Sequence, residues 1–122
     1  MRTLFFDTYA FFELFEGNAS YKSYAEGIAI ITTRLNLMEF HYGLLIRCGK
    51  EVADAHYYEL LKFAVEVSDK TIIMANELKA AMKGKNVSYV DCIGYVVAKT
   101  RNVPFLTGDR QFSRMDNVEY VE

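Results

Sequence analysis

Along this chain the spacing of apolar residues alternates between short unbroken runs and helical periods of three and four. Thr3 to Phe6 is an apolar run ending at Asp7, after which Tyr9, Phe11, Phe12 and Phe15 recur at helical spacing up to Gly17. A polar and aromatic stretch, Asn18 to Glu26, suits a short helix. The β-branched run Ile28 to Thr32 then reads as a buried strand. Leu37, Phe40, Leu44, Leu45 and Cys48 mark one face of a helix ended by Gly49, and Ala53, Tyr57, Leu60, Leu61 and Ala64 mark a second, so the two form a hairpin.

Val65 to Ser68 reads as a very short strand, followed by a helical pattern from Asp69 to Met82 that stops at Lys83-Gly84-Lys85-Asn86. From Ser88, the spacing of Val90, Ile93 and Val97 describes a helix ending near Asn102, in which Gly94 and Ala98 permit close approach to a sheet. Val103 to Leu106 and Val118 to Val121 complete the set of strands. Strands alternating with helices imply an α/β fold with a central, mostly parallel sheet flanked by helices on both faces. With 122 residues and no repeats or linkers, residues 1–122 form a single domain that buries about two-thirds of its unfolded surface.

Composition narrows the chemistry. A net charge of −2 argues against a protein that coats nucleic acid with a broad basic surface, so any phosphate binding must be local. Nine Tyr and nine Phe exceed what so small a core hides, and some of these rings are expected to face a partner. Phe11, Phe12 and Phe15 suit either the core or a contact groove, with at least one in the core. Cys48 and Cys92 lack CxxC spacing and histidine companions, which removes support for zinc and leaves them as reduced core thiols. The opening is strand-like, and nowhere do about 18 apolar residues run together, so a cytoplasmic protein without membrane association is expected.

Four acids fall where apolar runs give way to turns or helix starts. Asp7 ends the first strand, Glu39 begins the helix after the second, Asp91 lies in the first turn of a later helix, and Asp109 follows Phe105 to Thr107. Each has an ordinary reading. Ser88 to Asp91 and Asn36 to Glu39 match helix N-cap patterns, Asp7 suits a cap, and Asp109 beside Gly108 suits a turn. Capping does not explain why all four fall at one edge of the expected sheet, the edge where open parallel sheets bind ligands. Carboxylates converging there suit Mg²⁺ or Mn²⁺, hard cations that retain waters and bridge to phosphate oxygens.

Leu4-Phe5-Phe6-Asp7-Thr8, the helical Glu39, Val87-Ser88-Tyr89-Val90-Asp91 and Val103-Pro104-Phe105-Leu106-Thr107-Gly108-Asp109-Arg110-Gln111-Phe112 together resemble the PIN-domain ribonucleases. In size and layout the chain is most similar to the VapC-type toxins of prokaryotic toxin–antitoxin pairs. The resemblance spans essentially the whole chain and is most specific in the C-terminal third. It implies a three-layer PIN-like fold in which Asp7, Glu39, Asp91 and Asp109 are the catalytic, metal-binding acids, with Thr107 or Thr8 supplying a nearby hydroxyl. Asn36 departs from the family by standing where a Ser or Thr usually precedes the Glu, and an asparagine there can still cap the helix.

The implied activity is hydrolysis of an RNA phosphodiester by metal-activated water, without a side-chain nucleophile. The implied partners are RNA, a VapB-type antitoxin and a second copy of the chain as a homodimer. Four neighbouring carboxylates should raise at least one pKa in the metal-free site. Arg110 and Arg34 are weaker candidates for phosphate contact, and His41 and His56 lie too far along their helices to serve as bases. The alternatives are a PIN-domain RNA-processing nuclease, a catalytically silent PIN-like binding module and a receiver-like signalling domain. A receiver would need a phospho-acceptor after a central strand, and Asp54 has no such strand before it.

Overall fold

Four short strands carry the core, and their alternation decides which helices pack on which face. A computed structural model describes residues 1–122. The elements are β1 (Arg2–Phe6), α1 (Thr8–Glu16), a 3₁₀ segment (Ala19–Tyr24), β2 (Ile28–Ile31), α2 (Arg34–Cys48), α3 (Lys50–Leu60), α4 (Asp69–Ala81), α5 (Tyr89–Thr100), β3 (Phe105–Thr107) and β4 (Val118–Tyr120). The sheet order is β2-β1-β3-β4 and every pairing is parallel. In β1, Leu4 and Phe6 point to one face and Phe5 to the other, as the period of two requires. Leu4, Phe6 and Leu106 meet Phe11, Leu37 and Phe40 from α1 and α2, while Phe5 and Phe105 meet Ile93, Tyr95 and Val97 from α5 and Ala75 from α4. The result is the expected three-layer α/β/α arrangement.

Glycine sets how close α5 lies to the sheet. A Cβ on Gly94 would sit 3.0 Å from the Phe5 ring and 3.2 Å from the Phe105 ring. Gly17 closes α1 in the left-handed conformation, at φ 77°, where a side chain would be strained.

Several local expectations change. Val65 to Ser68 is not a strand. Thr32 and Ala64 make a single parallel bridge, and the chain then runs on extended into α4. The run Ile28 to Thr32 lies at a sheet edge, so β2 is only partly buried. On α2, Leu37, Phe40 and Leu44 face the core, but Leu45 is exposed because it falls about a quarter-turn off that stripe, and Cys48, although in line with Leu44, is exposed at the last residue of the helix. Only Cys92 is a core thiol. Phe11 is core and Phe15 lies at the surface, as do Tyr42, Tyr58 and Tyr89. No helix is long and apolar enough to cross a membrane.

Candidate functional site at the acidic edge

Strand order reverses between β1 and β3, and it is beyond the carboxyl ends of the strands at such a switch point that open parallel sheets bind ligands. Asp7 follows β1 directly and is 2% exposed. It caps α1, one oxygen accepting the Thr8 N–H at 2.9 Å, while the other accepts the Thr107 hydroxyl at 2.7 Å from the end of β3. Thr107 also accepts the Asp109 N–H at 3.1 Å, and Asp109 caps a 3₁₀ turn by accepting from Gln111. Gly108 makes this turn possible, since a Cβ there would lie 2.3 Å from the Tyr9 ring and 2.5 Å from the Val121 carbonyl. Asp91 enters from the first turn of α5 through a reciprocal capping box with Ser88.

Glu39 reaches the same edge by a route that differs from the expected one. The cap of α2 is Thr33, whose hydroxyl accepts the Asn36 N–H at 3.2 Å, so Asn36 is inside the helix and Glu39 lies in its second turn. Asn36 is fully buried and structural. The Thr33 hydroxyl donates to Asn36 Oδ1 at 2.6 Å, Asn36 Nδ2 donates to Thr8 Oγ1 at 3.1 Å, and Thr8 Oγ1 donates to Glu39 Oε1 at 2.7 Å. This relay joins the starts of α1 and α2. A Thr directly after an apolar run was the available signal for the cap, but the Asn36-to-Glu39 spacing imitated a capping box three residues later. Both suggested hydroxyls are in place, Thr107 on Asp7 and Thr8 on Glu39.

The electrostatics follow from burial first and proximity second. Burial pushes the Asp7 carboxyl up to about 7. Hydrogen bonds from Thr107 and Thr8 oppose the rise, and the charges of Asp91 and Glu39 add to it. Glu39 is raised by burial and by Asp91 against the Thr8 hydrogen bond, and Asp91 is raised by burial and by Asp109 against its Ser88 bonds. Desolvation thus adds to, and exceeds, the mutual repulsion from which a raised pKa was expected. None of the six ion pairs in the molecule includes any of the four acids. The edge is therefore acidic and lacks an ion-paired countercharge, although no three His, Cys, Asp or Glu side chains are gathered closely enough to hold a metal ion in this arrangement.

Other candidates point elsewhere. His41 Nε2 pairs with Asp54 at 2.8 Å and His56 Nδ1 contacts the Val52 carbonyl at 2.9 Å, both on the α2–α3 hairpin. Arg110 is occupied by Glu122 at 2.9 Å, whereas Arg34 at the start of α2 is exposed.

Residues 4–118 match the PIN domain family. The chain belongs to that family. No curated protein sequence matches this PIN domain. Among solved structures it is similar to a toxin–antitoxin complex from Klebsiella pneumoniae, at 18% identity over 95% of each chain with a TM-score of 0.77. It is also similar to Mycobacterium tuberculosis VapC20, described as a sarcin–ricin loop cleaving toxin, at 22% identity over 98% of this chain and 99% of that one, with a TM-score of 0.78. A third similar structure is Rickettsia felis VapBC2 bound to a promoter DNA fragment, at 20% identity over 98% and 99% of the two chains, with a TM-score of 0.73. At these identities the likeness is one of fold.

Proposed function

We propose that this PIN domain is a divalent-metal-dependent endoribonuclease and the toxin member of a VapBC-type toxin–antitoxin pair. The observation that carries the reading is the set of partly or wholly buried carboxylates without an ion-paired countercharge, Asp7, Glu39 and Asp91 with Asp109 beside them, at the carboxyl edge of a parallel sheet. Hard carboxylate oxygens suit Mg²⁺ or Mn²⁺, and such cations keep waters of their own and need no closed protein cage. Asp7, Glu39, Asp91 and Asp109 are the residues that would hold the ion. When bound, it supplies Lewis-acid activation of water and stabilises charge on the phosphoryl oxygens.

The protein's own contribution is placement. Thr8 and Thr107 fix the Asp7 carboxyl, and the Thr33-Asn36-Thr8 relay fixes Glu39, so the acids spend little ordering entropy on function. Neither histidine reaches the edge, which leaves water as the nucleophile and the carboxylates as the groups that orient it. The toxin assignment, and with it an antitoxin partner, is supported by similarity to toxin and toxin–antitoxin structures over nearly the full chain, and a homodimer is the assembly that the family resemblance implies. Sedimentation at low concentration showing only monomer would overturn the dimer.

Incubation of labelled single-stranded RNA with and without Mg²⁺ or Mn²⁺ tests the activity. Cleavage is expected only with metal, and Asp7→Asn and Asp91→Asn should each abolish it. Cleavage that persists in EDTA or in both variants would sink the reading.

A further inference from the structure

The last turn of α4, the loop after it and the first turn of α5 enclose a groove of about 530 Å³ lined by Lys79, Lys83, Gly84, Lys85 and Tyr89 among others, with no Asp or Glu in its wall. In a chain of net charge −2 this is a local concentration of positive charge. Lys79 Nζ donates to the Val87 carbonyl at 2.7 Å and lies 5.0 Å from the Tyr89 ring centroid, so it braces the loop and the ring. Tyr89 itself is 61% exposed. Lys83 is exposed and in none of the ion pairs, and Lys85 makes only a long 3.4 Å contact with the Gln111 carbonyl.

The position of the groove gives these groups a use. Tyr89, which lines the groove beside Lys79, is two residues from Asp91, and Gln111, whose carbonyl Lys85 contacts, is two residues beyond Asp109. The basic groove therefore adjoins the elements carrying two of the four acids. We propose that it is a single-stranded RNA subsite flanking the acidic edge, in which Lys83 and Lys85 take backbone phosphates and the exposed Tyr89 ring stacks a base. Lysine suits phosphate as a mobile point charge, and an aromatic face accepts any base. This deepens the nuclease reading and rests on it: the lysines hold the strand where acids alone would repel it.

Binding and cleavage are read separately. Fluorescence anisotropy of a labelled single-stranded RNA in EDTA, over a salt series, compares the native chain with Lys83→Ala/Lys85→Ala, Tyr89→Ala and Tyr89→Phe. Removing both lysines should weaken binding about tenfold at low salt and reduce the slope of log K against log salt by about 1.4, the release from two phosphates on a single strand. Tyr89→Ala should lose about tenfold and Tyr89→Phe should restore it. With metal, the double variant should raise KM and leave kcat nearly unchanged.

The control, Lys22→Ala/Arg101→Ala, removes two charges near the amino ends of β2 and β3, away from the acidic edge. An equal loss in the control, or unchanged affinity and slope in the groove variants, overturns the subsite. So does displacement of the RNA by polyglutamate as effective as by a polyribonucleotide of equal charge, since the groove would then be a general anion surface suited to an acidic protein. Absence of cleavage by the native chain counts against the catalytic reading alone, because the metal-free binding loss is scored without it.

Discussion

Thr8 donates its backbone N–H to Asp7 and its hydroxyl to Glu39, so one residue orients two acids from different helices. Replacing it by Val keeps the first bond and removes the second, leaving Asn36 Nδ2 without its acceptor in a buried place. A buried polar group left unpaired costs about 1–3 kcal/mol. Thr8→Val should therefore lower stability by about 2 kcal/mol and lower kcat more than it raises KM, while Thr8→Ser restores both. Urea denaturation and steady-state kinetics on the same preparations decide it.

Asp7 carries a pH dependence of its own. Its carboxyl titrates near 7 in the folded chain against an ordinary value of 3.8, so between these values the native state binds more protons than the unfolded one. Stability of the metal-free protein should then rise as pH falls from about 7 toward about 4, before general acid unfolding sets in. Glu39 and Asp91 are shifted the same way and reinforce the trend. Asp7→Asn, which keeps the shape and removes the charge, should stabilise the metal-free protein by about 2–4 kcal/mol at pH 8 and by little at pH 4. Equal effects at both pH values would show that the carboxyl is not strained by burial.

At the scale of elements, Gly94 is where α5 meets the sheet. Its missing Cβ leaves room for the edges of Phe5 and Phe105, the two rings that stack at 5.6 Å across β1 and β3. A leucine there has to lift the helix, and overpacking of this kind costs about 1–3 kcal/mol. Gly94→Leu should lower the unfolding free energy by that amount, read as a fall in the urea midpoint at unchanged m. It should also reduce activity, because Asp91 rides on the lifted helix one turn away.

The approach of α5 at Gly94 was legible in the sequence because a small residue in an apolar helical stripe has few other uses. The α1 stop at Gly17 was legible for a similarly local reason. The Thr33 cap and the role of Asn36 were not, since two overlapping frames offered the same capping chemistry and only the path from β2 chooses between them. Nor was the edge position of β2, because a β-branched run looks alike whether one strand or two lie beside it. The four acids were legible as candidates through their recurrence where apolar runs give way to turns or helix starts, whereas the basic groove was hidden, its lysines looking like an ordinary turn until folding set them beside Tyr89.

For the whole molecule, the acidic edge sets stability against function. A chain that holds Asp7 almost fully buried without an ion pair forgoes folding free energy that Asn would return, and on the proposed reading a divalent cation would recover it. Ligand binding to the native state alone adds about 2.7 kcal/mol at a hundred times Kd, which for a domain of this size is a rise of about 10 °C in Tm. The native chain should gain that increment from Mn²⁺ at pH 8 and progressively lose it toward pH 5, as protons compete for Asp7, Glu39 and Asp91. Asp7→Asn should begin with the higher Tm in EDTA and gain almost nothing from Mn²⁺, so the two melting curves change order as metal is added. Differential scanning fluorimetry over a Mn²⁺ series reads this directly. Parallel rises in the two proteins would place any bound metal away from Asp7, whereas a crossing would tie metal affinity and metal-free instability to one carboxyl group.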